Sequence, residues 1–175
     1  RERSVGLGVM GFHSFLQKKS IPFESVMSKV WNNKIFGYIQ ESVDKASVKL
    51  AEERGACPDA QEYGIKERFS NKTAIAPTAS ISIICGGASP GVEPIAANSY
   101  THKTLSGSYN VRNKYLKQIL QSKGKDNEET WSSITTNQGS VSHLDFLNEH
   151  EKSVFKTAFE LDQRWIVELG ADRAP

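Results

Sequence analysis

The sequence has few of the features that mark exported, membrane-bound or metal-binding proteins. Its 175 residues include two cysteines, Cys57 and Cys85, which lie far apart and outside any CxxC or Cys/His ligand spacing. No apolar run approaches the roughly 20 residues that a helix needs to cross a bilayer, and the first residues lack a signal-peptide pattern. These absences argue against a disulfide framework and a zinc site, and they predict a cytoplasmic protein with reduced thiols.

A strong charge of one sign is also missing. The 22 Lys and Arg residues nearly balance the 20 Asp and Glu residues, which leaves a net charge of +2, and no basic run concentrates it. Broad binding to nucleic acid or to an acidic membrane is therefore not expected, and any polyphosphate site would have to be local. The composition is typical of a soluble globular chain, and residues 1–175 contain no linker or repeat that would divide them into two domains.

Apolar periodicity predicts alternating strands and helices. Residues 5–10 alternate between apolar side chains and small ones, which predicts a strand approached closely by another backbone, and residues 73–76 form a second apolar run. Between them we predict a long helix from Val26 to Arg54, capped by Ser25, whose apolar stripe comprises Trp31, Ile35, Tyr38, Ile39, Val43, Ala46 and Leu50. Because so long a crossover separates the two strands, we expect them to be parallel, in an α/β fold.

The second half of the chain predicts further helices. Short ones are expected around Leu116 and Trp131, and a last one after Asn148, whose spacing to Glu151 matches a capping box. Its predicted buried stripe runs through Phe159 to an end at Gly170. No element is predicted for residues 98–109. Both ends of the chain run directly into or out of structured segments, and the strands are too few for a closed sheet, so we expect a segment of a larger protein.

Residues 6–11, GLGVMG, match the GxGxxG pattern of dinucleotide-binding folds. That pattern should follow a complete strand, whereas here the apolar alternation lies inside the glycine pattern. No carboxylate follows a second strand at the expected distance. The residues therefore favour a crowded strand-to-helix turn over a nicotinamide or flavin site.

A second loop carries a clearer chemical signal. Pro77 fixes the exit from the second strand, hydroxyl side chains follow, and the amides at a helix start can point at an anion. Such a turn can bind phosphate without a lysine, and its candidate residues are Pro77, Thr78, Ala79, Ser80, Ile81 and Ser82. The alternative is that Thr78 and Ser80 only cap the following helix, and the residue types leave both interpretations open.

Other reactive side chains are predicted to be structural. The four histidines lie at no metal-ligand spacing, so each is interpreted as a surface or packing residue. Glu93 is an isolated carboxylate and Lys103 an isolated cation. Cys85 follows an apolar run and is predicted to be buried and inert. The residues alone predict no catalytic side chain and no metal ligand.

Several strings, in this order, resemble the large subunit of ribonucleotide reductase. They are RSVGLGVMGF at residues 3–12, IPFES at 21–25, AEERG at 51–55, IAPTASISIICGGASPGVEP at 75–94, YTHKTLSG at 100–107 and ADRAP at 171–175. The resemblance is collinear over essentially the whole chain. It implies a portion of a ten-stranded α/β barrel, in its second half-barrel, with residues 77–82 holding the substrate diphosphate.

The resemblance also implies a reaction, the replacement of the ribose 2′-hydroxyl by hydrogen through a cysteine thiyl radical. The radical cysteine of the family lies in a loop of the form Asn-x-Cys-x-Glu, which neither Cys57 nor Cys85 matches. We therefore expect this segment to supply the phosphate loop, no catalytic residue and no bound cofactor. The implied partners are the remaining large-subunit segments, a radical-generating, metal-bearing small subunit, and thioredoxin or glutaredoxin as reductant.

PTASIS and the THKTLSG string resemble the aerobic class I form, which acts on ribonucleoside diphosphates. The adenosylcobalamin-dependent form, which often has PTGTIS in this loop, is one alternative. Another is a non-catalytic product of a split gene that folds only beside its missing segments. A dinucleotide-binding module built on residues 6–11 is the remaining alternative.

Overall fold

The computed structural model describes residues 1–105 and 107–173. Ser106, Ala174 and Pro175, which belong to two of the family strings, lie outside the described residues, as does the side chain of Thr104. The described chain contains, in order, α1 (Phe12–Lys18), α2 (Val26–Arg54), α3 (Pro58–Glu62), α4 (Ala79–Ile84), β1 (Ser99–Thr104), β2 (Gly107–Arg112), α5 (Lys114–Ser122), α6 (Glu128–Thr136), α7 (Glu149–Val154) and α8 (Arg164–Ala171). None of these described helices is long and apolar enough to span a bilayer.

The predicted parallel pairing of residues 5–10 with residues 73–76 is confirmed in its direction, although it amounts to a single bridge between Leu7 and Thr73. The Leu7 amide donates to Lys72 O at 3.0 Å, and the Ala74 amide donates to Leu7 O at 3.1 Å. The glycines make this approach possible, because a Cβ atom at Gly8 would lie 2.8 Å from Ala74 O. The predicted close backbone contact therefore accounts for the glycine spacing.

We expect Gly8→Ala to lower the free energy of unfolding by about 1–3 kcal/mol, because the added methyl meets a backbone oxygen that cannot move aside. Gly37→Ala is the matched control, since Gly37 lies exposed within α2 with open space around its Cβ position. There alanine should raise the free energy of unfolding by about 0.4–1 kcal/mol. Urea unfolding of both variants checks the opposite signs, and an unchanged midpoint for Gly8→Ala would contradict the close approach.

The long helix α2 has the predicted bounds. Ser25 caps it as expected, because its hydroxyl oxygen accepts a hydrogen bond from the Ser28 amide at 3.2 Å. The predicted apolar stripe is wrong in part, since Tyr38 is 72% exposed and Ala46 is exposed as well.

The buried face of α2 instead carries polar side chains that satisfy the backbone of neighbouring segments. Ser47 Oγ accepts hydrogen bonds from the amides of Arg68 and Phe69 at 3.1 and 3.3 Å. Asn32 donates to Leu169 O at 3.1 Å. Buried polar groups need such partners, and a pattern based on apolar residues cannot locate them.

The single helix predicted after Asn148 is wrong, although its capping box with Glu151 is confirmed by both of its hydrogen bonds. The chain forms two helices, α7 and α8, with Phe159 83% exposed in the connector between them, and Gly170 lies inside α8 rather than after it. The connector is held by tertiary bonds, since the Ala158 amide donates to Ile95 O at 2.8 Å. A distant partner of this kind overrides local helix propensity.

The antiparallel hairpin of β1 and β2 was not predicted, because its polar residues show no apolar alternation. Its base is anchored by the buried Asn98, whose side-chain amide donates to Gly139 O and Phe155 O at 3.0 and 2.7 Å. Residues of the hairpin and of the predicted phosphate loop line the same cavity, so the hairpin lies near that loop.

Two apolar clusters support these elements. One joins the predicted short helices α5 and α6, both confirmed, to α7 through Leu116, Leu120, Trp131, Ile134, Val141, Leu144, Leu147, Val154 and Phe155. The other packs α1 against the chain before α2 and against α8 through Phe12, Leu16, Phe23, Leu161 and Leu169. The start of α1 is connected to the predicted phosphate loop through Gly91, whose carbonyl accepts the Gly11 amide and whose own amide donates to Thr78 Oγ1.

Candidate functional site

The predicted phosphate loop forms a tight turn into a short helix. Pro77 follows the segment that forms the parallel bridge. Thr78 adopts the left-handed conformation with φ 52° and ψ 29°, and α4 begins at Ala79. The first helical hydrogen bond runs from the Ser82 amide to Thr78 O at 2.9 Å. Amides that precede this bond have no acceptor within the helix, so they are free to face an anion.

The hydroxyl groups of the loop have separate roles. Thr78 does not cap α4 with its side chain, so that part of the helix-cap alternative is wrong. Its Oγ1 accepts a hydrogen bond from the Gly91 amide at 2.8 Å, which leaves its own proton free to be donated. Ser82 is buried and donates to Ala79 O at 2.8 Å, whereas Ser80 is exposed in the first turn of the helix.

The loop rests on the segment that follows α4 and on the start of α1. A Cβ atom at Gly91 would lie 3.0 Å from Ala76 O, and its φ of 45° also favours glycine. The Gly11 amide donates to Ser89 O and Gly91 O at 2.9 and 3.1 Å. This last amide of the GLGVMG motif therefore donates to protein carbonyls, which agrees with the interpretation of the motif as a crowded strand-to-helix turn.

A cavity of about 530 Å³ lies between α4, α1 and the hairpin. Of the six predicted loop residues, Ala79 and Ser82 line it, together with residues that include Ser14, His102, Arg112 and Asn113. Pro77, Ala79, Ser80 and Ile81 are exposed, and Thr78 is half-buried. The structure thus places the six residues in one turn, with Ser82 buried beneath it and a cavity on one side.

The positively charged side chains near the turn belong to residues outside residues 77–82. Lys114 donates to Gly86 O at 3.1 Å, close to the end of α4. Arg112, in the cavity wall, pairs with Glu128 at 2.6 Å and lowers the pKa of that carboxyl through the hydrogen bond and through its charge. The turn itself offers only amides and neutral hydroxyls as donors. Such donors can bind a phosphate whose negative charge is balanced by other groups.

The remaining candidates behave as packing or surface residues, with one correction. His13 is fully buried, and its Nδ1 accepts a hydrogen bond from the Ile95 amide at 3.0 Å, while His143 and His150 are exposed. Cys85 is exposed at the end of α4, so the prediction that it is buried is wrong. The three isoleucines that precede it, Ile81, Ile83 and Ile84, are exposed as well, so the apolar run did not predict burial.

Among the residues that the structure describes, no group of three or more His, Cys, Asp and Glu side chains is arranged to hold a metal ion. The residues that sequence reasoning missed are Ser14, Ser89 and Gly91, which support the turn from behind. Ser89 and Gly91 lie in the family string at residues 75–94, and no pattern in the sequence links them to Ser14.

Comparisons with known proteins identify the family of the chain. The family described as ribonucleotide reductase, barrel domain, matches residues 1–67 and 58–175, and the chain belongs to that family.

Three relatives illustrate the match. The ribonucleoside-diphosphate reductase large subunit of Invertebrate iridescent virus 6 is 47% identical over 99% of this chain and 18% of its own length. The vitamin B12-dependent ribonucleoside-diphosphate reductase of Thermoplasma acidophilum is 36% identical over 97% of this chain and 22% of its own length. The solved class Id ribonucleotide reductase alpha subunit of Actinobacillus ureae is 42% identical, with a TM-score of 0.89, over 99% of this chain and 31% of its own length. The chain thus spans less than a third of each of these three proteins.

Proposed function

We propose that this chain is a section of the catalytic subunit of a ribonucleoside-diphosphate reductase, and that residues 77–82 contact the diphosphate of the substrate. The observation that carries the proposal is the left-handed turn at Thr78, which leads into a helix whose first amides and Ser80 are at the surface. Two of the relatives described above, from Invertebrate iridescent virus 6 and Thermoplasma acidophilum, are named ribonucleoside-diphosphate reductases, which supports the substrate class.

In the proposed enzyme the ribose 2′-hydroxyl leaves as water and is replaced by hydrogen, while a pair of thiols is oxidised to a disulfide. This chain's part is to bind and orient. A substrate held by its diphosphate presents the sugar in a fixed position to a cysteine supplied by another section of the protein, and such positioning can contribute several kcal/mol to a reaction.

For the complete enzyme we also propose an architecture and a set of partners. We assign all of residues 1–175 to one catalytic barrel domain, in which the parallel bridge at Leu7 is part of a ten-stranded α/β barrel, in a cytoplasmic enzyme. The radical is supplied by a metal-bearing small subunit, and thioredoxin or glutaredoxin returns the electrons. The 47% identity to the viral large subunit favours this class I assignment. A cobalamin-dependent enzyme is the second candidate, because the Thermoplasma relative is 36% identical.

Ser80→Ala tests the phosphate contact. In the full-length protein that carries this sequence, we expect it to raise the KM for cytidine diphosphate roughly 2- to 12-fold, because one neutral donor contributes about 0.5–1.5 kcal/mol, while kcat is retained. Ser82→Ala should have the smaller effect, since its hydroxyl already donates to Ala79 O. Steady-state kinetics on both variants measures the difference.

The control for that experiment is Ser132→Ala, which removes an exposed serine of α6 far along the chain and should leave KM unchanged. An unchanged KM in the Ser80→Ala, Ser82→Ala double variant would contradict the phosphate contact. The hydroxyls would then serve only the helix.

A further inference from the structure

Two serines join α1 to the segment behind the phosphate loop. The Ser14 amide donates to Ser89 Oγ at 3.0 Å, and the Ser89 amide donates to Ser14 Oγ at 2.8 Å, between residues 75 positions apart. Both residues are buried, with 7% and 1% of their surfaces exposed. We name this reciprocal pair the serine clasp. Each hydroxyl satisfies an amide that would otherwise be buried without a partner.

The serine clasp is connected to the phosphate loop by a short path. Ser89 lies two residues before Gly91, whose amide donates to Thr78 Oγ1 at 2.8 Å. The carbonyls of both Ser89 and Gly91 receive the Gly11 amide. The position of Gly91 is thus fixed on one side by α1 and fixes the Thr78 side chain on the other.

Thr78 needs such support because a β-branched residue at φ 52° is strained. Left-handed conformations at residues other than glycine persist only when the surrounding structure holds them. Here the bond from the Gly91 amide holds Thr78 at the residue where the chain turns into α4. If Gly91 shifts, Thr78 loses that bond, and the amides that follow lose their common direction.

We propose that Ser14 and Ser89 are positioning residues for substrate-phosphate binding, acting through Gly91 and Thr78 without touching the substrate. This inference rests on the proposed function of residues 77–82. It assigns to the start of α1, and to the loop after α4, a role in substrate affinity that neither the glycine motif nor the hydroxyl-rich loop indicates by itself.

A purely structural role for the serine clasp makes a different prediction. If the two serines only satisfy buried amides, their loss lowers stability and leaves the affinity of the folded protein unchanged. If they position the loop, loss of either hydroxyl raises KM in protein that is still folded. The two roles are therefore separated by comparing the change in KM with the change in stability.

The experiment uses the full-length protein with its radical-generating partner, and cytidine diphosphate and inorganic pyrophosphate as probes. We expect Ser14→Ala and Ser89→Ala each to raise the KM for cytidine diphosphate and the inhibition constant of pyrophosphate roughly three- to tenfold, with kcat changed less than about twofold. Ser14→Thr, which keeps the hydroxyl, should restore both constants. Each variant retains one of the two clasp bonds: Ser14→Ala keeps the bond from the residue-14 amide to Ser89 Oγ, and Ser89→Ala keeps the bond from the residue-89 amide to Ser14 Oγ. If one of the two variants does not fold, the other decides the question.

Ser28→Ala is the matched control. Ser28 is fully buried in α2, and its hydroxyl donates to Phe23 O, so the variant loses a comparable buried bond away from the loop. It should lower the unfolding midpoint without raising either constant. Hydrogen exchange supplies a second measurement: amides of residues 78–91 should exchange faster in the Ser14 and Ser89 variants and at the parent rate in Ser28→Ala.

The outcomes separate this inference from the function on which it rests. If Ser80→Ala raises KM while Ser14→Ala and Ser89→Ala leave both constants unchanged, the serine clasp is structural only and the proposed phosphate contact stands. If Ser80→Ala and the serine clasp variants all leave KM unchanged, the phosphate contact is wrong and the positioning role falls with it. Equal increases in Ser28→Ala would also overturn the inference, because the effect would then follow stability alone.

Discussion

The 175-residue polypeptide, incubated with ribonucleoside diphosphates, a radical-generating subunit and a dithiol, is expected to form no deoxyribonucleotide. Its two cysteines do not form a thiol pair in the structure: Cys57 is buried at the start of α3, and Cys85 is exposed at the end of α4. Neither lies in the Asn-x-Cys-x-Glu setting that the family resemblance implies for the radical. A misplacement of a reacting group by about 1 Å can cost on the order of a hundredfold in rate, so neither thiol can substitute.

The measurement is chromatographic detection of deoxyribonucleotides, with the full-length protein as the positive control. The isolated polypeptide should also bind substrate poorly, because it supplies only one wall of the proposed pocket. Product formed by this polypeptide without further large-subunit segments would contradict the assignment of the catalytic residues to those segments. Activity that appears only when separate upstream and downstream segments are added would support a naturally split subunit.

The second large effect concerns pH and His13. Burial lowers the pKa of this imidazole from 6.5 to about 4, an effect that the nearby Val154 carbonyl only partly opposes. The unfolded chain therefore binds a proton on His13 at a higher pH than the folded chain does. The stability that depends on a neutral His13 is complete above about pH 6.5 and is lost as the pH falls to about 4. The total loss is on the order of 3 kcal/mol.

His13→Gln isolates this contribution, because glutamine can accept the hydrogen bond from the Ile95 amide without titrating. Urea unfolding at several pH values between 4 and 7 should give a shallower pH dependence for His13→Gln than for the parent protein. His143→Gln, which replaces an exposed histidine, is the control and should retain the parent dependence. Equal slopes for the parent and His13→Gln would show that His13 is hydrated in the folded state.

The sequence predicted those features that depend on hydrogen bonds between residues close together in the chain. Ser25 and the capping box at Asn148 act within one turn of their own helices, so the start of α2 and the start of α7 were predicted correctly. The parallel direction at Leu7 was also predictable, because it follows from the length of the connection rather than from any contact.

What it could not predict depends on partners far along the chain. The break after α7 is fixed by the bond between Ala158 and Ile95, and the hairpin base by Asn98, whose partners are backbone carbonyls. The candidate phosphate loop was located by its residue types and by its family string, whereas its support from Ser14 has neither an apolar pattern nor a motif. Residue type indicated what the loop could bind, and tertiary contacts determine how it is held.

The serine clasp also has a consequence for the order of folding. Helix α2 can form from its own cap and its internal hydrogen bonds, whereas the clasp requires the ends of a long intervening chain to meet. Contacts between distant residues form late, because the entropy lost in closing the loop must be overcome before they contribute. We therefore expect the turn over residues 77–82 to take its final shape only after the serine clasp has formed. A nascent chain that has emerged from the ribosome only as far as α4 would carry the phosphate-turn sequence without the phosphate-turn geometry.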